Sequence, residues 1–209
     1  MLLTDKPQDE CGVMGVYSPY GDAARLAFFG LFALQHRGKE SAGIATSDSE
    51  SLHVHTNMGL VSQAFREEDL RSLPGNLSIG HTRYSTTGSS KLSNAQPFVV
   101  NGAHGQIALA HNGNVINAAA LRKQLTSEWK TDFVSSSDSE VMAHLLANAP
   151  GETWEDRCFY CMRALEGAFS TTILTPDSVI GMRDPLGVRP MCIGKLNGGW
   201  CIASESCAL

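Results

Sequence analysis

One cysteine near the start of the chain has the setting of a nucleophile. Cys11 follows ten unpatterned, mostly polar residues and begins an apolar run, CGVMGVY at 11–17. If the Glu10–Cys11 bond is cut, the freed α-amine has an ordinary pKa of about 8 and can accept the proton of the neighbouring thiol. The alternative is structural, because free cysteine is among the most buried residue types. These residues alone leave both interpretations open.

A second cysteine pattern favours packing over chemistry. Cys158 and Cys161 form a Cys-x-x-Cys pair, a spacing also found in zinc and redox sites. They share the helical periodicity of an apolar face with Trp154, Met162 and Leu165. No second pair lies nearby in sequence, so we expect both cysteines to lie in the core and assign no metal.

The composition is that of an ordinary globular protein. The 209 residues carry 16 basic and 21 acidic side chains, giving a net charge of −5, which argues against a nonspecific nucleic-acid surface. No apolar run approaches the roughly 20 residues of a membrane helix, and the first residues lack the features of a secretory signal. The six scattered cysteines do not suggest a disulfide scaffold, so we expect a reduced, cytoplasmic protein.

Short apolar runs separated by turn residues define the elements that must position Cys11. The run at 11–17 predicts a buried strand, and Asp22 is a candidate cap for a helix over 23–36. That helix is apolar on nearly every side, so we expect it to be sandwiched between layers. Further helices are predicted at 117–127, 139–148 and 153–165. Strands are predicted near 43–46, 52–56, 77–82, 98–100, 106–111, 168–174, 178–183, 190–195 and 200–204. Strands in runs indicate an α+β fold with antiparallel sheets, and no linker divides the chain.

Six ordered motifs carry a resemblance that spans nearly the whole chain. They are CGVMGVY, LFALQHRGKESAGIA at 31–45, GHTRYSTTG at 80–88, NAQPF at 94–98, ALAHNGNVINAAALR at 108–122 and SSDSEVMAHLL at 136–146. Together they resemble the class II glutamine amidotransferase domain of the N-terminal-nucleophile hydrolases. LQHRGKESAG, GMRDPLGVRPMCIGK and CIASESCAL are most similar to the amidophosphoribosyltransferase family. The resemblance implies a four-layer α/β/β/α sandwich of antiparallel sheets.

The same resemblance implies how the chain is divided and what it does. Residues 1–10 would be a leader and 11–209 the glutaminase domain, while the phosphoribosyltransferase domain of the family would be absent from these residues. Cys11 would attack the amide of L-glutamine, with its own amine as the base. Ammonia would then pass to a transferase that makes 5-phosphoribosylamine for purine synthesis.

Two charged residues are implied to bind the ends of glutamine. Arg83 suits the α-carboxylate, because a guanidinium offers two parallel donors; its alternative is a surface arginine at a strand end. Asp138 suits the ammonium group; its alternative is a helix N-cap, a role that we leave to Ser137.

The remaining site residues come from the same motifs. Asn112 and Gly113 would stabilise the oxyanion, although Asn-Gly is also a common turn signal. Tyr84 would belong to the glutamine loop or couple it to a partner domain, and Arg37 and Gly38 would form part of the site wall. His81 and His111 are expected to be structural, because an amine-activated thiol needs no histidine base.

The resemblance also sets expectations about cofactors and partners. The glutaminase half needs no cofactor, whereas Mg²⁺ and, in some members, an iron–sulfur cluster are implied for the full-length enzyme, which is expected to form homo-oligomers. Two alternatives stay open. One is the glutaminase domain of another class II amidotransferase, such as an aminosugar synthase, which the words HRGKES and NAQPF disfavour. The other is an unprocessed, catalytically silent module that binds glutamine.

Overall fold

The predicted strands form two antiparallel sheets in the computed structural model, which describes residues 10–84 and 91–209. The strands of the described residues are β1 (Gly12–Tyr17), β2 (Ser41–Ser47), β3 (Leu52–Met58), β4 (Leu77–Arg83), β5 (Phe98–Gly102), β6 (Gly105–Val115), β7 (Gly167–Leu174), β8 (Val179–Arg183), β9 (Cys192–Leu196) and β10 (Gly199–Ala203). One sheet has the order β3-β2-β4-β1-β10-β9 and the other β5-β6-β7-β8. Four pairs of consecutive strands form hairpins, namely β2 with β3, β5 with β6, β7 with β8 and β9 with β10. Strand β1 instead lies between the distant strands β4 and β10.

Helices cover the outer face of each sheet. They are α1 (Ala23–Ala33), α2 (Val61–Ala64), α3 (Glu67–Arg71), α4 (Ala118–Glu128), α5 (Asp138–Ala147) and α6 (Trp154–Ala164). Helix α1 packs on the six-stranded sheet and α5 on the four-stranded sheet, with α4 and α6 against α5. The two sheets contact each other through β1, β4, β6 and β7. The predicted α/β/β/α layering is confirmed.

Apolar side chains, half of them alanines, fill the space between the two sheets. The inner layer consists of buried residues Val13, Ala45, Ile79, Ala108, Ala110 and Leu174. On β6 the alternate residues Ile107 and Leu109 face the helices instead. Both faces of the strand are therefore buried, which explains why its sequence is a continuous apolar run rather than an alternating one.

The environment of α1 differs from its prediction in two respects. Asp22 makes no side-chain cap to the helix, because its carboxylate accepts the Ser18 hydroxyl at 2.5 Å instead. The helix is also an outer layer rather than a sandwiched one. Phe29 and Phe32 are 65% and 55% exposed and contact the ring of Phe28.

The other helices fit the predictions more closely. Helices α4, α5 and α6 each begin and end within one residue of the predicted bounds. Cys158 and Cys161 are buried in the core beside α5, as predicted, and burial raises the pKa of the Cys158 thiol to about 11. The sequence did not predict α2 and α3, which are too short to show a helical period. Among the described residues, none of the helices has the length and apolar character needed to cross a membrane.

Candidate active site

The proposed nucleophile lies where the gap between the two sheets opens. Cys11 directly precedes β1, and Arg83 is the last residue of β4, which pairs with β1 through Gly12 and Thr82. Val13 and Ile79 belong to the layer between the sheets, so the alternation of side chains directs Cys11 and Arg83 toward the same gap.

The backbone of Tyr84 holds the Cys11 sulfur in place. The Tyr84 N–H donates to Sγ at 3.4 Å, and the thiol donates to the Tyr84 carbonyl oxygen, also at 3.4 Å. The Tyr84 ring remains partly exposed at the rim of the adjoining cavity. An N–H that points at the sulfur also favours the thiolate once the proton has left.

A cavity of about 420 Å³ adjoins Cys11. This volume suits a small ligand. Its walls include the predicted site residues Cys11, Arg83, Tyr84, Gly113 and Asp138. A larger cavity, of about 560 Å³, lies between Gly15 and Trp200 and contains none of the predicted site residues. The chemistry of the side chains, rather than the volume, therefore identifies the smaller cavity as the candidate site.

The surroundings of Cys11 keep its thiol protonated. Burial raises the pKa of the Cys11 thiol above its ordinary value. The Tyr84 hydrogen bond and the charges of Arg83 and Arg37 act in the opposite direction, while Asp138 adds to the rise. A thiol of this kind needs a proton acceptor before it can attack a carbonyl carbon.

An ion pair with Glu40 orients Arg83. The Arg83 guanidinium contacts the Glu40 carboxylate, and both side chains are largely buried. The Glu40 N–H also donates to the Arg83 carbonyl oxygen at 3.0 Å. Sequence reasoning missed Glu40, although it lies within the HRGKESAG motif. Its charge compensates that of a buried guanidinium, which would be costly without a partner.

Asp138 begins α5 and faces the cavity. Its carboxylate accepts the Val115 N–H at 3.0 Å and the Ser139 hydroxyl at 3.4 Å. Ser137 caps the helix, since its side chain accepts the Ser139 N–H at 3.2 Å, which confirms the predicted cap. A carboxylate in the first turn is also stabilised by the helix dipole.

The Asn112-Gly113 pair lies near the end of β6. Gly113 has φ +145°, and a Cβ at this position would lie 2.1 Å from the Ala168 carbonyl oxygen, so only glycine fits. Asn112 is 2% exposed, and its Nδ2 has no hydrogen-bond partner among the described residues. Its side chain lies on the inner face of β6, as those of Ala108 and Ala110 do, and it is not among the residues that line the cavity. An unsatisfied buried donor costs free energy unless a ligand or water accepts from it.

Two side chains fix the β6 backbone just before this pair. The Gln96 Oε1 accepts the His111 N–H at 2.7 Å, and the His81 ring lies 3.1 Å from the His111 carbonyl oxygen through Nε2. Strand β5 pairs with β6 only as far as Leu109, so Gln96 takes the place of a strand partner beyond that point. Sequence reasoning did not single out Gln96, although it lies in the NAQPF motif.

Both buried histidines are neutral. Burial lowers the pKa of His81 to about 3 and also lowers the pKa of His111. His111 lines the cavity, but its Nδ1 is shared with the Ser139 hydroxyl at 3.0 Å. Their contacts fit the predicted structural role.

Comparison with known proteins identifies the family. A family profile described as a glutamine amidotransferase domain matches residues 81–209, more than half of the chain. The chain belongs to this family. The chain is 49% identical to the amidophosphoribosyltransferase of Synechocystis sp. over 98% of its own length and 48% identical to that of Archaeoglobus fulgidus over 95%. It spans only 42% and 44% of those two relatives.

Solved structures agree with this assignment. The amidotransferase domain superposes on the glutamine phosphoribosylpyrophosphate amidotransferase of B. subtilis, solved with ADP and GMP, with a TM-score of 0.85 and 38% identity over 95% of the chain. A structure described as the allosteric regulatory enzyme of purine biosynthesis gives a TM-score of 0.87 and 39% identity. The chain covers 42% of each of these structures. The predicted resemblance to the amidophosphoribosyltransferase family is confirmed.

Arg37 and Gly38 lie behind the nucleophile of the amidotransferase domain rather than in the cavity wall. Arg37 Nε donates to the Cys11 carbonyl oxygen at 3.0 Å. A Cβ on Gly38 would lie 2.7 Å from the Arg83 backbone nitrogen, so this glycine permits close packing against the end of β4. Their part in glutamine binding stays a prediction.

The described part of the amidotransferase domain brings together one group that could share a metal ion. His36, Glu205 and Cys207 lie at the surface with ligand atoms within 4.8 Å of one another. An iron–sulfur cluster takes about four cysteine ligands, whereas this group contains a single cysteine. The described residues therefore do not form a ligand set for such a cluster.

Proposed function

We propose that the chain hydrolyses L-glutamine to glutamate and ammonia, with Cys11 as the nucleophile. One observation carries this proposal. The cavity beside the Cys11 thiol has the cation of Arg83 and the anion of Asp138 in its walls. Glutamine has the matching carboxylate and ammonium groups at one end and a neutral amide at the other.

The proposed reaction begins with removal of residues 1–10, which frees the α-amine of Cys11. The amine takes the thiol proton, and the thiolate attacks the glutamine amide carbon. The Asn112 side chain and the Gly113 N–H donate to the oxygen that gains charge, and each such donor contributes roughly 3–4 kcal/mol in the transition state. The leaving nitrogen takes the proton from the Cys11 ammonium group and departs as ammonia. Water then hydrolyses the glutamyl thioester. The reaction uses only the chain's own groups and water.

A second part of the proposal concerns the protein to which the chain belongs. The names of its relatives support transfer of the ammonia to phosphoribosyl pyrophosphate by a transferase domain. Mg²⁺ and an iron–sulfur cluster, if the whole protein has one, would belong to that other part. Homo-oligomerisation and a cytoplasmic location belong to the same proposal.

The experiment compares three forms of the protein by intact mass and by glutamate release from glutamine. We expect the unaltered protein to lose residues 1–10 and to hydrolyse glutamine. Cys11→Ala should do neither while keeping its melting temperature within a few degrees. Cys207→Ala, which alters an exposed cysteine, should behave like the unaltered protein.

Two results would overturn the proposal. Glutamine turnover by Cys11→Ala would show that another group is the nucleophile. A stable species that begins at Met1, binds glutamine and releases no glutamate would instead support the silent binding module.

A further inference from the structure

The residue before the nucleophile is held by two arginines. The Glu10 carboxylate lies 3.1 Å from the Arg37 guanidinium through one oxygen, and it contacts the Arg189 guanidinium through the other. Arg37 lies just before β2 and Arg189 between β8 and β9, so residues from three distant parts of the chain meet here. Hydrogen bonds between charged groups of this kind are shorter and stronger than those between neutral groups.

Arg37 contacts both sides of the Glu10–Cys11 peptide bond. Its Nε donates to the Cys11 carbonyl oxygen at 3.0 Å, while its terminal nitrogen contacts the Glu10 side chain. The Glu205 carboxylate contacts the remaining terminal nitrogen. The guanidinium is nine-tenths buried and is held by acceptors on three sides, so it fixes the peptide bond between two points.

The turn between β8 and β9 holds Arg189 in position. The buried Asp184 carboxylate accepts the N–H groups of Leu186 at 3.1 Å and Val188 at 3.2 Å. The Arg183 Nε donates to the Arg189 carbonyl oxygen at 2.5 Å. Arg189 is therefore positioned by its own turn and does not depend on Glu10 for its place.

We propose that Arg37 and Arg189 form a carboxylate clamp, which recognises an acidic residue at position 10 and positions the Glu10–Cys11 bond for removal of the leader. This inference rests on the proposed function, because it deals with the step that frees the Cys11 amine. In that step the Cys11 sulfur attacks the Glu10 carbonyl carbon, the C–N bond breaks, and the nitrogen takes the thiol proton. Water then hydrolyses the thioester and releases residues 1–10 with a new carboxylate on Glu10.

The two arginines have different roles after the leader has gone. Arg37 keeps its contacts with the Cys11 carbonyl oxygen and Glu205, whereas Arg189 loses its contact with Glu10. Arg189 is also absent from the walls of the cavity beside Cys11. In this proposal Arg189 acts in removal of the leader and not in glutamine hydrolysis.

The test follows processing by intact mass during cell-free synthesis of the protein, with samples quenched in acid at intervals. Glu10→Gln keeps the size of the side chain and removes its charge, and Arg189→Gln removes the charge of the partner. We expect each to slow the loss of residues 1–10 by about tenfold or more, because a charged hydrogen bond is replaced by a neutral one. Arg163→Gln, on the exposed face of α6, is the matched control and should process at the unaltered rate.

A leaderless form, with the initiator Met directly before Cys11, separates this inference from the proposed function. Arg189→Gln in that form should hydrolyse glutamine at the rate of the unaltered leaderless protein. If the unaltered leaderless protein hydrolyses no glutamine, the proposed function fails, while the mass measurements still decide on the clamp.

Two outcomes would overturn the clamp. One is processing of Glu10→Gln and Arg189→Gln at the unaltered rate. The other concerns the leaderless form. If Arg189→Gln reduces glutamine hydrolysis in that form by as large a factor as it slows processing of the full chain, Arg189 acts in the mature site.

Discussion

Replacing Asp138 by asparagine tests whether this carboxylate binds the ammonium group of glutamine. The substitution changes the charge and little else. The asparagine oxygen can still accept the Val115 N–H, and Ser137 still caps α5. Loss of the carboxylate from the first helical turn should cost only about 0.3–1 kcal/mol of stability. We therefore expect a folded protein with an altered site.

The expected size of the effect follows from the burial of Asp138. Removing one member of a buried, hydrogen-bonded charge pair between partners costs about 2–5 kcal/mol. The Asp138 side chain is 24% exposed, so water screens part of the interaction and the low end applies. A loss of about 2 kcal/mol corresponds to a decrease of roughly 30-fold in kcat/KM for glutamine. Because the ammonium group is remote from the reacting amide, we expect the change in KM and little change in kcat.

The assay measures glutamate release against glutamine concentration for the processed protein, for Asp138→Asn and for Asp132→Asn, an exposed control. It is repeated with glutamine that lacks its α-amino group. The unaltered protein should prefer glutamine over this analogue by roughly 30-fold, and Asp138→Asn should show almost no preference. If Asp138→Asn keeps the full preference, Asp138 does not bind the ammonium group.

Three further predictions concern the support of the site. Gly113→Ala should lower the melting temperature and should also lower kcat by about 100-fold or more. The control is Gly105→Ala, because Gly105 has φ +96° but open space around it. This control should lose some stability and keep its kcat. Gln96→Leu leaves the His111 N–H buried without its acceptor, so urea unfolding should show a loss of about 1–3 kcal/mol; an unchanged midpoint would contradict this. Because burial depresses the pKa of His81 to about 3, the unfolded chain binds the proton more readily below pH 6.5. The stability should fall as the pH decreases from about 6.5 toward 3, and a variant without His81 should show a flatter profile.

The sequence predicted most of the fold because its elements are short and bounded by turn residues. The strand beginning at Gly12 and the helix beginning at Asp138 could be located from local patterns alone. Asp22 shows the limit of such reasoning. An aspartate before an apolar helix predicts a cap, but the Ser18 hydroxyl lies within reach and takes the carboxylate. Which of two nearby partners a side chain chooses depends on the path of the folded backbone.

The residues that support the candidate site were harder to predict than those proposed to carry its chemistry. Arg83 and Asp138 were proposed because their motifs, GHTRYSTTG and SSDSEVMAHLL, resemble those of the family, and their opposite charges suit the two ends of glutamine. Glu40, Gln96 and Glu205 act through buried or partly buried contacts with residues distant in sequence, 43 positions away for Glu40 and 168 for Glu205. No local period or spacing indicates such partners, because the contacts exist only once the strands have paired.

The location of the site follows from how closely the two sheets pack. Alanines at 45, 108 and 110 form much of the layer between them, so the sheets approach closely enough for the His81 ring on one sheet to hydrogen-bond the His111 backbone on the other. This contact links β4, which ends in Arg83, to β6, which contains Asn112. The charge that would bind glutamine and the donor that would stabilise its oxyanion are thus fixed relative to each other across the gap. A larger side chain at position 108 or 110 should separate them and lower activity without touching the cavity.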